Sequence, residues 1–351
     1  MVDPDATESP LEAAAGAAGP HAVDAFRLLS DETRMAILLA LWEASDPEGT
    51  DDALQFSELY DRVGYDDTGN FNYHLGKLTG HFVAETDEGY ELRNAGQKIV
   101  NAVIAGRGLG ERTLAPTEID HACHRCGGPV VLGYEDEYLY LRCTECEGNI
   151  GPDSTEQAPR GTHMVWDFDP AGLADRTPGE LFVAGTIEFV REVGLLMRGV
   201  CPECSGAAEA SLHVCESHEA PPGEVCPDCG TRDTVRVSQT CSVCKHGASF
   251  PAEAVVHDHP AVIAFCHEHG VDRTYDLDDP ETCGELWEHF MTYEHELVSE
   301  DPVRIRVSVP AGDDVLHLTL DGDLDVIDVT DDRAGADGEA RRPRATDAPE
   351  P

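Results

Sequence analysis

Lysine is almost missing from this chain. Its 351 residues carry 24 basic side chains against 69 acidic ones, a formal net charge of -45, and the lysines are Lys77, Lys98 and Lys245 alone. A carboxylate-dense surface that prefers arginine to lysine keeps a protein soluble in very high salt. There a Debye length of roughly 3 Å at 1 M screens the self-repulsion. The acid is spread along the whole sequence and not gathered into a tail, so the charge speaks of habitat and does not exclude DNA binding. Long apolar runs are also absent: no stretch of about 18 such residues exists, which excludes a spanning helix and a membrane partner. Met1–Pro20 lacks the basic start and apolar core of a secretory signal and reads as a floppy, acidic leader. Missing too are a phosphate loop, G-x-S-x-G, H-E-x-x-H and a dinucleotide fingerprint, so the sequence points away from an enzyme. Cysteine is plentiful, with 13 residues. In a large chain without an export signal, cysteines standing mostly in C-x-x-C pairs read as cytoplasmic zinc ligands and not as disulfides.

Residues 21–112 follow helical periods and then alternate. A first helix is expected near Ala22–Leu29, with Ala22, Ala25, Phe26 and Leu29 on one face. Ser30 is placed to cap a second, striped by Ile37, Leu38 and Leu41. After a polar loop, Ser45–Asp52, Ser57 is expected to cap a short helix that Gly64 ends. Within Thr68–Val83, Phe71, Leu75 and Leu78 fall within about 60° of one another at 100° per residue. The opposite arc presents Gly69, Asn70, Asn72, Tyr73, Gly76 and Lys77, amides, a phenol and a lysine suited to base edges and phosphates. An alternating hairpin about Asp87–Gly89 follows, and then a helix with Asn94 as its expected cap, Ile99 and Val103 as its apolar residues and Gly106 as its stop.

The segments FRLLSDETRMAILLAL, NFNYHLGKLTGHFV and DEGYELRNAGQKIV resemble those of the ArsR-like winged helix-turn-helix regulators common in salt-loving archaea, and a looser resemblance extends to haloarchaeal regulators with Cys-rich C-terminal regions. The resemblance implies a homodimer that binds double-stranded operator DNA, with Asn70, Asn72, Tyr73 and Lys77 on the groove-facing helix and Arg93 beside the wing. One departure matters. Metal-sensing members carry cysteine in this domain, and residues 21–112 hold none, so arsenic-type sensing here is not expected.

Farther along, Cys123-x-x-Cys126 and Cys143-x-x-Cys146 flank two strand-like runs, VVLGY and YLYLR, as in a zinc ribbon (residues 120–150). His121 and His124 nearby are surplus. Cys226-x-x-Cys229 and Cys241-x-x-Cys244 repeat the pattern about TVRVSQT. Cys201-x-x-Cys204 finds completion in Cys215-x-x-His218, with His213 a competing ligand and interleaved pairing of the last two sets left open. About three structural Zn2+ ions are thus expected, and Cys266 and Cys283 remain as core cysteines. A helix over Pro178–Arg198, with Leu181, Ala184, Phe189, Val193 and Leu196 apolar, opens a region reaching residue 250. Residues 251–330 read as two helices, the first bearing Val262, Ile263 and Cys266 on one side with His267 and His269 solvated, and a four-stranded antiparallel meander. Residues 331–351 read as a tail. The expected fold class is α+β: an N-terminal winged helix-turn-helix, central zinc ribbons, and C-terminal helices with a small antiparallel sheet. The expected function is sequence-specific transcription regulation, the zinc modules serving dimerisation, effector or partner contact. A basal transcription factor of winged-helix plus zinc-ribbon type, working within the transcription machinery, is the alternative, and a metal-dependent nucleic-acid enzyme a third.

Overall fold

The computed structural model describes residues 20–46, 53–108, 112–150, 159–218 and 224–334. Expectations for residues 1–19, for 47–52 of the polar loop and for 335–351 lie outside the described residues. The chain divides into two compact units, residues 1–110 and 111–351. It is a mixed α+β protein, with four small antiparallel sheets among the described residues. No described helix is long and apolar enough to cross a membrane.

In the first unit, α1 (Pro20–Leu29), α2 (Glu32–Ala44), α3 (Phe56–Val63) and α4 (Thr68–Leu78) precede a hairpin of β1 (Val83–Thr86) and β2 (Gly89–Leu92); α5 (Asn94–Ile104) follows. Ile37, Leu38 and Leu41 of α2 meet Leu59, Phe71, Leu75, Leu78, Val83 and Val100 in one core. The Phe71 ring stands edge-on to Phe56 and Tyr60, at 5.5 and 5.2 Å between centroids. Gly89 is required where it stands: at φ 135° an added Cβ would lie 2.4 Å from the Leu54 carbonyl oxygen. Three caps differ from expectation. Asp31, not Ser30, caps α2, its carboxylate accepting the Arg34 amide at 3.1 Å. Gln55 and Glu58, not Ser57, form the capping box of α3. Arg93 occupies the N-cap of α5, so Asn94 is already helical. The α1 face differs too: Val23 is buried and Ala25, Leu28 and Leu29 pack on the core, while Phe26 is 66% exposed. On α5 the fully buried apolar residue is Val100, between the expected Ile99 and Val103.

The second unit begins with a sheet of β3 (Leu114–Ala122), β4 (Pro129–Glu135), β5 (Tyr138–Cys143) and β6 (Thr162–Asp167) in that order. Asp136 and Glu137 turn the β4–β5 hairpin with φ 51° and 67°, the positive pair that a tight two-residue turn demands. Helix α6 (Pro178–Leu196) starts at a Thr177–Glu180 capping box. It lays Leu181, Phe182, Val183 and Ala184 into a core shared with Leu132, Leu139 and Trp166. A three-stranded sheet of β7 (Ala208–Val214), β8 (Val235–Cys241) and β9 (Gly247–Pro251) leads through a 3-10 turn (Ala252–Val256) to α7 (Pro260–Glu268) and α8 (Pro280–Phe290). The meander follows as β10 (Glu294–Glu300), β11 (Val303–Ala311), β12 (Asp314–Asp321) and β13 (Val326–Asp332). Alternate residues Ile305, Val307 and Val309 face in and meet Phe265, Cys266 and Phe290, and also Val235, Val237 and Phe250 of the preceding sheet. A shared core therefore runs across residue 250, where the sequence reading divides the zinc modules from the C-terminal region.

Three details of the C-terminal part depart from expectation. Ile263 is 45% exposed, and Phe265 joins Val262 and Cys266 in the core. His269 is not simply solvated: its ring nitrogens lie 3.0 Å from Asp314 Oδ2 and 2.8 Å from the Phe265 carbonyl. Order also continues past residue 331. β13 runs to Asp332, and Arg333 pairs with both Glu268 and Asp331 at 2.8 Å.

Candidate metal centres and candidate nucleic-acid interface

Four C-x-x-C turns are built alike. In the turns starting at Cys123, Cys201, Cys226 and Cys241, the carbonyl of the first cysteine accepts the amide four residues on: Gly127, Ser205, Gly230 and Lys245. The first cysteine's amide donates to the carbonyl five residues on, at Gly128, Gly206, Thr231 and His246. Each closure bends the chain through a left-handed residue, with φ of 72°, 60°, 70° and 66°. Glycine meets that need in two turns, while Ser205 and Lys245 adopt it against the preference of a side chain. The turn leaves both thiols on one side, ready to converge on a single ion.

The twelve candidate ligands gather into three groups, within each of which the ligand atoms lie within 4.8 Å of one another: Cys123, Cys126, Cys143 and Cys146; Cys201, Cys204, Cys241 and Cys244; and Cys215, His218, Cys226 and Cys229. The first is the expected set. The other two interleave: Cys241 and Cys244 join Cys201 and Cys204, leaving Cys226 and Cys229 for Cys215 and His218. Strand register is the cause. Ala208 pairs with Cys241 at one end of the β7–β8 ladder and Val214 with Val235 at the other. The turn before β7 is thereby delivered to the turn after β8. The Cys215 amide donates to the Thr234 carbonyl at 2.9 Å, assembling the third group at the far end of the same ladder. His213 stays on β7, its ring 3.2 Å from the Ser211 hydroxyl and outside every group.

The spacing suits a tetrahedral ion. Sulfur pairs stand at 3.7 and 3.5 Å in the first group and 3.6 and 3.5 Å in the second, and Cys229 Sγ is 3.5 Å from His218 Nδ1. Four sulfurs at about 2.3 Å from one zinc would stand about 3.8 Å apart. Each group also holds one acidified thiol. Burial pushes Cys143 up, but the amides of Cys146 and Glu145 more than offset it and leave it below the usual range. The Cys229 amide lowers Cys226, and the amides of Cys244 and Val243 bring Cys241 down to about 6. Their neighbours move the other way: burial lifts Cys123 to about 12 and Cys215 to about 11, and Cys244 is held at about 12 beside Cys204 despite the His246 amide. One thiolate forms readily while burial and the neighbouring sulfurs hold the next back, and a cation placed between them would stabilise both as thiolates. The donor sets therefore fit a soft divalent metal, and each of the three groups can hold one.

Nothing in the sequence pattern marked His163. On β6 and buried, it places Nε2 3.2 Å from Cys123 Sγ, and its ring lies 4.7 Å from that of His124. Burial, helped by the charges of Arg125 and Arg232, brings His163 down to about 3. A neutral ring with its proton on Nε2 can donate to the Cys123 sulfur, the kind of outer contact that would orient it as a metal ligand. His121 instead sits 3.5 Å from the Pro280 carbonyl. Cys266 and Cys283 are buried and outside the groups.

In the first unit, α4 buries Phe71, Leu75 and Leu78 and exposes Asn70, Asn72, Tyr73 and Lys77. Asp67 caps the helix, accepting the Gly69 and Asn70 amides at 2.9 and 3.1 Å. Asn70 Nδ2 donates to the Tyr65 hydroxyl at 2.8 Å, and Lys77 Nζ stands 5.4 Å from the Tyr73 ring centroid. Arg93 is exposed and donates to the Gly80 carbonyl, tying the start of α5 to the loop after α4. His74 sits on the same helix but turns to Asp31 at 3.2 Å.

The model of the family described as Domain of unknown function (DUF7351) matches residues 120–326, which contain all three ligand groups. The chain belongs to this family. The match runs from just before Cys123 to the start of β13, so the DUF7351 region takes in both second-unit cores. A second model, Domain of unknown function (DUF7347), matches residues 22–103, the helices and hairpin of the first unit. No curated protein and no solved structure matches the chain.

Proposed function

We propose that the protein is a sequence-specific DNA-binding transcription regulator, a winged helix-turn-helix of ArsR-like kind followed by a body held together by three structural zinc ions. The observation that carries the reading is α4: a helix anchored by three buried apolar residues that turns amides, a phenol and a lysine to solvent, with a two-stranded hairpin directly after it. A major groove admits such a helix, and amide side chains can address base edges there in bidentate fashion. Lys77 and Arg93 supply phosphate contacts beside it. The exposed Phe26 on α1 offers an apolar contact for a second copy, and a dimer would read two half-sites. In the body, two closed sets of four cysteines and one of three cysteines with a histidine leave no position for a reactive water, which supports a structural and not a hydrolytic role for zinc. Mapping occupancy across the genome of the source cell tests the reading. A small number of sites sharing a two-fold sequence is expected. Occupancy of most promoters would make it a basal factor instead, and no enrichment anywhere would remove DNA from its function.

A further inference from the structure

Within the second unit, α6, the 3-10 turn and α8 line a half-open cavity of about 260 Å³, walled by Phe189, Val193, Met197, Val255, Leu286 and Trp287 among others. Small-molecule sites are concave and mostly apolar, and an apolar wall without a partner forfeits dispersion contacts along its length. An engineered apolar cavity of about 150 Å³ takes up benzene, so this volume suits a larger, two-ring body. Gly194, inside α6, lies on the rim, where a Cβ would touch Arg198 Nη1 at 3.2 Å and Asp258 Oδ2 at 3.5 Å. Glycine is a poor choice inside a helix unless a side chain would obstruct something.

We propose that this cavity binds a neutral, mostly apolar small molecule about the size of two fused rings. The charges argue for neutrality. One cation and one anion line the rim, so it carries no net charge: Asp258 faces Arg273 at 3.7 Å, and Arg198 donates to the Gly194 carbonyl. In the wall, His257 shares a 2.8 Å hydrogen bond with the Tyr275 hydroxyl and packs edge-on against Phe290. Burial and the Arg273 charge keep it uncharged by lowering it to about 3. An ionised ligand would lose its water against the apolar walls, and a rim with one charge of each sign favours neither ion. The site goes beyond the proposed function, since binding here does not require the first unit to hold DNA.

The test is a titration of the full-length protein with N-phenyl-1-naphthylamine, following its fluorescence and energy transfer from Trp287. One saturable site per chain is expected. Val190→Phe and Gly194→Leu each place bulk in the cavity, and either should weaken binding roughly tenfold or more with the thermal midpoint retained. If neither variant folds, Trp287→Phe decides: reduced transfer at unchanged affinity supports the placement, with Trp166 left as the more distant donor, and undiminished transfer overturns it. In competition, 1-naphthalenemethanol should displace the probe better than 1-naphthoate or 1-naphthylmethylammonium. Absent saturable binding, or binding that both folded variants leave unchanged, overturns the site. Tighter binding of either charged competitor overturns the ligand class.

Discussion

Substituting Cys201 and Cys241 together with serine should remove one metal ion per chain, whereas substituting Cys226 and Cys241 together should remove two. The arithmetic follows from the interleaved groups. Cys201 and Cys241 share one group, so the content falls from three to two; Cys226 and Cys241 belong to different groups, so it falls from three to one. Pairing by nearest C-x-x-C neighbours, Cys226 with Cys241 and Cys201 with Cys215, would reverse both numbers. The two groups lie at opposite ends of the β7–β8 ladder, seven residues long. At about 3.3 Å per residue that separates them by about 20 Å, so emptying one should leave the other loaded. A structural zinc contributes on the order of 10 kcal/mol to local folding, enough that a loaded ion survives purification and is counted. Elemental analysis of the two double variants, each after gel filtration, is the assay. Equal metal loss in both, or the reversed order, would refute the register argument.

The remaining expectations are briefer. Leu75→Ala should lower stability by about 2–5 kcal/mol in denaturant titration, because it opens a cavity beside Phe71 and Leu78. Residues 21–112 hold 17 acids and 8 bases, a difference of -9, so specific DNA binding should persist or strengthen toward molar potassium salt. A steep conventional decline between 50 and 200 mM salt would contradict this. Hydrogen bonds to Asp314 and to the Phe265 carbonyl raise His269, and that with His269 lowers Asp314. The His269 contribution should be complete below pH 6.5 and fade as pH rises through its raised value. The Asp314 contribution should be present above about pH 3.9 and fade as pH falls through its lowered value. The stability gap between the protein and His269→Gln in a series of denaturant midpoints should shrink as pH rises through the raised value, and a gap independent of pH would clear His269 of the effect.

What could be read from sequence was what lies close in sequence. Phe71, Leu75 and Leu78 fix their helix face by spacing alone, and the structure buries all three. The acidic turn between VVLGY and YLYLR, and the alternation of the meander, were legible for the same reason: period two and short turns are local. Ligand pairing was not, because it depends on Ala208 meeting Cys241 across 33 positions, a register set by two strands neither of which reveals its partner. His163 was hidden likewise: β6 reaches the first ligand group only by pairing Thr162 with Arg142 of β5. Caps slipped by one or two positions because Ser30, Asp31, Gln55 and Ser57 all carry capping side chains, and backbone dihedrals chose among them.

DNA reading by α4 is the central claim, and four exposed side chains test it. The measurement is the affinity of the purified protein for its selected operator and for a scrambled duplex of equal length, in high potassium salt. Asn72→Ala should weaken operator binding about ten- to a hundredfold, in keeping with roughly 1–3 kcal/mol for a bidentate base contact, and leave the scrambled duplex nearly unchanged. Lys77→Ala should weaken both alike, as loss of a phosphate contact would. If Asn70, Asn72, Tyr73 and Lys77 all become alanine with no loss of operator affinity, α4 is an ordinary solvated helix and the account of the first unit fails.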